Sequence, residues 1–218
     1  METKYNNFKK SSSGKMVIMK PVVSKLYCSA AEAGMLVRRR PHAVNGGGFV
    51  VTDCKQNVVF RIDGCGVLGA RGELVLRDGD GDELLLIQRK GGIVQALSIH
   101  NKWRGYSYNF QGYQKPVFTL RDPKTSCFPK TGSIRISIEP CSTDNCFFEI
   151  RGYFPDRSCS IIDSAGNTIA QIGVSEEVKE LKASGDFYHV IIKPGVDKAF
   201  IFGVIAVLDY IYGESTRC

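Results

Sequence analysis

Near its C-terminus the sequence reads AFIFGVIAVLDYIYG, Ala199 to Gly213, and Asp209 is its one charged residue. Asp197, after Pro194-Gly195, is a good N-cap, and Gly213 is a good C′ residue, so the spacing predicts one helix over about 198–212. At ~1.5 Å per residue the stretch is roughly 23 Å long, short of the ~30 Å hydrocarbon core of a bilayer. Asp209 adds a cost in lipid, so a membrane span is disfavoured. An amphipathic surface helix needs a polar face. Phe200, Ile201, Phe202, Val204, Ile205, Val207, Leu208 and Ile211 cover every direction instead. A helix apolar all round is buried all round.

The rest of the chain shows what could enclose it. Three segments repeat one plan of strand, Asp, a few turn residues, strand. They are GFVVTDCKQNVVFRIDG, ELVLRDGDGDELLLIQRK and CSIIDSAGNTIAQIG, turning at Asp53, Asp78 and Asp163, with apolar residues resuming at Val58, Leu84 and Ile169. Asp opens such turns because its carboxylate accepts backbone N–H groups two residues on. Asn57, Asp80-Gly81 and Gly166-Asn167 supply residues that tolerate left-handed conformations. VFTLRDP (117–123) ends another strand at Asp122. IVQALSIHN (93–101), RGYSYNFQG (104–112), SIRISIEP (133–140), CFFEIRGYF (146–154) and FYHVIIKPG (187–195) read as further strands, eleven or twelve in all. AAEAGMLVRRR (30–40) reads as a short helix or a strand with a basic end. Gly46-Gly47-Gly48 reads as a flexible joint, and SEEVKELKAS (175–184) as a short internal helix. Close, regular strands mean a sandwich or a barrel. The helix selects the fold class: mainly β, a closed antiparallel barrel around a central C-terminal helix, whose closure removes the sheet edges. Phe200, Phe202, Ile205 and Leu208 are its expected core residues.

A chain of 218 residues with 43% hydrophobic and 23% charged residues has an ordinary globular composition. Its net charge of +7 is unevenly placed: up to Gly47 there are nine Lys and Arg against Glu2 and Glu32, and the remainder is balanced. A basic segment on a neutral body suits a negative surface, lipid or nucleic acid, or serves as a solubilising tail. Residues 1 to about 15 are expected to be a disordered basic tail, and 16–218 a single domain. The eight cysteines form no CxxC and no zinc spacing, and no Asn-x-Ser/Thr acceptor occurs. The expectation is a reducing, cytoplasmic environment with free, mostly buried thiols, Cys218 being the exposed one.

The ordered set of GFVVTD…VVFRIDG, LVLRDGDGDELLLIQRK, Trp103 in SIHNKWRGY, SIIDSAGNTIAQI and YHVIIKPGVDKAFIFGVIAVLDYIYGES resembles the plant LURP-one-related family, over nearly the whole chain from about Met16. Members of that family resemble the tubby C-terminal domain and the phospholipid scramblases. The resemblance implies a twelve-stranded barrel wrapping a hydrophobic C-terminal helix. Some members are associated with plant defence, and tubby domains tether transcription regulators to the plasma membrane through phosphoinositides. A lipid-linked role is therefore implied here, although no stretch matches the tubby phosphoinositide residues position by position.

Among candidate binding residues, Arg38, Arg39 and Arg40 form the densest basic cluster. Strand alternation would point Arg38 and Arg40 the same way, as a phosphate clamp wants. The alternative is a charged, solvated strand edge. Lys102 and Arg104 flank the single Trp103, which reads as a core or rim residue before a lipid anchor. Asp78-Gly-Asp80-Gly-Asp82-Glu83 begins like a calcium loop but has Glu83 at the sixth position and Arg89 at the twelfth, so a tight hairpin turn is the better reading. His42, His100 and His189 are scattered, no phosphate, dinucleotide or hydrolase motif occurs, and a Cys159–His189 pair is no more than chance would supply. The reading is a monomeric, non-enzymatic module without a cofactor. Its partner is an anionic phospholipid or phosphoinositide, reached at the plasma membrane. The alternative is a protein-interaction scaffold in signalling or transcription, cytoplasmic or nuclear. Nucleic acid is disfavoured because no helical reader accompanies the arginines.

Overall fold

The apolar segment forms helix α3 (Lys198–Ile211), which follows the short helices α1 (His42–Asn45) and α2 (Cys65–Leu68), and every residue from Ala199 to Ile211 is buried. The computed structural model describes residues 20–90, 102–108, 112, 114–121, 134–140, 147–174 and 186–217. Asp197 caps α3: its Oδ1 accepts from the Ala199 and Phe200 N–H groups at 3.0 and 3.3 Å. Gly213, at φ +75°, takes the left-handed C′ position.

Around α3 run twelve strands: β1 (Ala33–Arg39), β2 (Phe49–Thr52), β3 (Val58–Asp63), β4 (Glu73–Asp78), β5 (Glu83–Lys90), β6 (Lys102–Tyr108), β7 (Gln114–Arg121), β8 (Ile134–Ile138), β9 (Phe147–Tyr153), β10 (Ser158–Asp163), β11 (Thr168–Gly173) and β12 (Phe187–Ile192). Each pairs antiparallel with its sequence neighbours, and β1 closes on β12 with Val37 opposite Tyr188. The fold is thus the closed barrel with a central helix that the sequence predicts. Alternate strand residues point inward onto the helix. Phe200 lies against Phe118 and Phe148, with ring centroids 5.7 and 5.1 Å away, and Phe202 against Phe60 at 5.5 Å. Ile205 and Leu208 are wholly buried.

The three Asp turns form as read. Asp53 Oδ1 accepts from the N–H groups of Lys55 and Asn57, and Asp163 Oδ1 from those of Ala165 and Asn167. Asp78 Oδ1 accepts three, from Asp80, Gly81 and Asp82. AAEAGMLVRRR resolves to strand β1. The expected tail 1–15, strand 93–101 and helix 175–184 lie outside the described residues.

Gly46-Gly47-Gly48 is a packed seam, not the flexible joint the sequence suggests. All three have positive φ, and a Cβ on Gly47 or Gly48 would lie 2.3 Å from the Ser215 carbonyl oxygen or 2.0 Å from that of Ile62. Gly105 is equally confined, because a Cβ there would meet the Phe118 ring at 2.3 Å. Gly105→Ala is therefore expected to cost ~1–3 kcal/mol by overpacking. A urea titration checks this, and an unchanged midpoint would refute it.

Candidate functional site

The arginine run does not form the alternating clamp that its spacing suggests. Arg38 is exposed on the outer face of β1. Arg39, at the strand end, turns to Glu214, with Nη1 2.7 Å from Oε2. Arg40 lies past the strand, so alternation no longer governs it. Its Nη2 donates to the Ile62 carbonyl and to Asp63, at 2.6 and 2.8 Å. Asp63 also accepts from Arg77 Nε at 2.9 Å. In this structure Arg39 and Arg40 are both held in internal ion pairs.

These pairs help close one end of the barrel with residues 213–217. Asp209 is fully buried in α3 and accepts from the Thr216 N–H at 2.6 Å and from Ser215 Oγ. Burial pushes its carboxyl above the usual carboxylate range, against the pull of the Thr216 bond. The Ser215 carbonyl accepts from Gly48 and the Thr216 carbonyl from Cys65. Glu214 Oε2 is shared by Arg39 and by Arg157 Nη2, the latter at 2.9 Å. Arg157 is 7% exposed and lies between the Phe154 and Tyr188 rings, 4.6 and 4.5 Å from their centroids. Beside this network lies a cavity of about 740 Å³, whose lining includes Arg39, Arg151, Arg157, Ser158, Ser160 and Gln171.

A second basic region is the outer wall opposite β1. Trp103 points inward and packs edge-on to Tyr210 at 4.7 Å, so it is a core residue. Its neighbours Lys102 and Arg104 consequently face outward. Arg104 lies 3.5 Å from Glu139. In the strand register Lys90 on β5 sits opposite Lys102 on β6, and Lys102 opposite Arg121 on β7. Extending the Leu120–Ile136 pair by one residue sets Arg135 of β8 opposite Arg121. Four cations therefore stand in one outward row across four adjacent strands. With strands ~4.8 Å apart, the row is roughly 14 Å long. Like charges directly opposite destabilise a sheet, and among the described residues no carboxylate pairs with Lys90, Lys102 or Arg121. Lys90 Nζ is 3.1 Å from Gln88 Oε1, and Arg135 stacks on Phe147 at 4.4 Å. Glu149 of β9, opposite Arg135, ends the row.

The barrel order puts Arg38–Arg40 and Lys102–Arg104 on different sides, five strands apart by the shorter path. They are two regions and not one site. Lys90, Arg121, Arg135, Arg157 and Glu214 escaped the sequence reading. Strand-end parity marks the first three as outward, but their alignment depends on register.

Cys28, Cys54 and Cys159 are free thiols, whereas Cys65 is disulfide-bonded, which corrects the expectation of free cysteines throughout. The expected exposed Cys218 lies outside the described residues. Burial pushes the Cys159 thiol up to about 12. It faces the core while His189 lies on the outer face of β12, so the two do not pair. No group of three or more His, Cys, Asp or Glu that could hold a metal occurs among the described residues. None of the described helices is long and apolar enough to cross a membrane.

Residues 34–209 match the family model described as LURP-one-related. The chain is 70% identical over 200 residues to protein LURP-one-related 6 of Arabidopsis thaliana, covering 92% of this chain and all of that one. It is 53% identical over 205 residues to protein LURP-one-related 16 of the same plant, covering 91% and 95%. An Arabidopsis thaliana protein solved by X-ray crystallography superposes with a TM-score of 0.61 at 22% identity, covering 88% of this chain and 98% of that one. That last likeness concerns the fold alone.

Proposed function

This chain belongs to the LURP-one-related family, and we propose that it is a non-catalytic, tubby-like barrel module of plant defence signalling. In this reading it attaches peripherally to anionic membrane, as a membrane-tethered regulator, through the basic wall of β5–β8. The observation that supports it is the row of Lys90, Lys102, Arg121 and Arg135, held outward by the strand register. Each cation at a charged bilayer surface contributes about 1 kcal/mol, so the row supplies up to ~4 kcal/mol, reduced by salt. The six lysines between Lys4 and Lys25 carry further charge of the same sign. Phosphorylated headgroups suit the row because guanidinium and ammonium groups donate strong charge-assisted hydrogen bonds to their oxygens.

Vesicle co-flotation tests this reading. The full chain should float with vesicles containing phosphatidylinositol phosphate, not with neutral ones, and less at high salt. The double substitution Lys102→Glu and Arg121→Glu should weaken binding at least ~10-fold. A variant that floats like the wild type would remove the wall from the mechanism. No flotation of the wild-type chain would leave the protein-interaction scaffold as the working function.

A further inference from the structure

We infer that the cavity beside residues 213–217 is a separate ligand site, an arginine clamp for the phosphomonoester of a polar, hydroxyl-bearing ligand, in which Glu214 stands in for the ligand. Arg39 leaves the end of β1, Arg157 the turn between β9 and β10, and both donate to the single oxygen Glu214 Oε2. A carboxylate brings one charge to two guanidinium groups. A phosphomonoester brings about −1.5 to −2 charge and three acceptor oxygens, enough to engage both.

An ion pair that served only folding could be sealed, as the Asp209 contacts beneath it are. This pair instead lines an open cavity of about 740 Å³, within the size range of small-molecule sites. The volume exceeds what a bare phosphate fills, so the ligand carries a further polar part. The walls fit one. Arg151 lines the cavity with 65% of its side chain exposed and its Nη2 3.3 Å from Glu149 Oε2. Ser158, Ser160 and Gln171 also line it, and among the described residues their side chains make no hydrogen bond. Asp156 is exposed at the rim and is the one carboxylate besides Glu214 lining the site, so it limits how much anionic charge the outer part can take.

The backbone at Arg157 points the same way. Its φ of +52° is a left-handed conformation uncommon for a residue with a side chain. The fold holds that conformation and clamps the guanidinium between Phe154 and Tyr188, which fixes its direction before any ligand arrives. This inference does not rest on membrane attachment, because the wall row is a different region.

Isothermal titration with glycerol 3-phosphate tests it, using the full chain and Glu214→Gln, with near-UV circular dichroism confirming the fold of each. The amide keeps the shape and an acceptor oxygen but removes the competing charge. Glu214→Gln should bind glycerol 3-phosphate about 10-fold more tightly than the wild type. Arg151→Gln, a change at an exposed side chain, should weaken binding severalfold, and the Lys102→Glu/Arg121→Glu variant should bind as the wild type does. Phosphatidic acid vesicles separate the sources. Binding of glycerol 3-phosphate in solution identifies a free phosphomonoester. Capture of those vesicles alone, lost in Arg151→Gln, identifies a lipid headgroup. No gain in Glu214→Gln for either probe, or no effect of Arg151→Gln on either probe where Glu214→Gln fails to fold, would overturn the clamp and leave Glu214 as a structural anchor.

Discussion

Replacing Phe200 by alanine is expected to lower the unfolding free energy by about 3–5 kcal/mol, the range for emptying a buried aromatic site. The upper part of that range applies here for a structural reason. Phe200 lies on a helix surrounded by a closed, hydrogen-bonded wall, with Phe118 and Phe148 against its ring. Neither the helix nor the wall can shift inward without breaking strand pairs elsewhere, so the cavity stays open. Domains of this size have total stabilities of ~5–15 kcal/mol. At about 4–5 kcal/mol the loss corresponds to a fall in Tm of roughly 8–20 °C, at ~2–4 °C per kcal/mol. Differential scanning calorimetry reads it directly. Leu26→Ala is the control: Leu26 is 87% exposed, and its loss should stay within ~0.5 kcal/mol. A Phe200→Ala loss below about 1 kcal/mol would mean that the helix is not the core of the barrel.

The same helix explains why the fold was legible from the sequence. A stretch apolar in every direction has one class of solution in a chain of short strands, and Asp197 and Gly213 marked its ends correctly. The Asp turns were legible because their hydrogen bonds are local, reaching two to four residues on. The sites were harder because they depend on distance in the chain. Arg39 meets Glu214, Arg40 meets Asp63 and Lys102 meets Arg121 only once register and closure are set. The RRR run also misled in a specific way. Alternation holds inside a strand, and β1 ends at Arg39, so Arg40 obeys the turn instead. Gly46-Gly47-Gly48 misled because glycine permits both flexibility and close approach, and sequence alone does not distinguish them. Arg157 gave no signal at all: its importance comes from two aromatic rings and a carboxylate brought together by the fold.

The second large effect is expected at Asp197. Its Oδ1 caps α3, and its Oδ2 accepts from the N–H groups of Val23 and Ser24 at 2.7 and 2.9 Å, tying the segment before β1 to the helix start. Asp197→Ala leaves all four donors without this acceptor. Loss of the cap leaves the buried Ala199 and Phe200 donors unpaired, at about 1–3 kcal/mol each. Water can reach the half-buried Val23 and Ser24, so the loss is about 2–6 kcal/mol. Asp197→Asn keeps one acceptor oxygen but sets its amide against two N–H donors, so an intermediate loss is expected. The pH dependence follows from burial, which pushes the Asp197 carboxyl above the usual carboxylate range against the pull of its four backbone bonds. The folded state therefore holds this proton more tightly than the unfolded chain. The stability contributed is full below the ordinary carboxylate pKa of ~3.9, falls as pH rises through the raised folded value, and is flat above it. Neither variant carries that proton, and contributions from other carboxylates cancel in the difference from wild type. Urea unfolding of wild type and Asp197→Asn between about pH 3 and pH 7 should show the larger difference at the acid end. A larger difference at neutral pH would mean that the four hydrogen bonds outweigh burial and hold the carboxylate ionised.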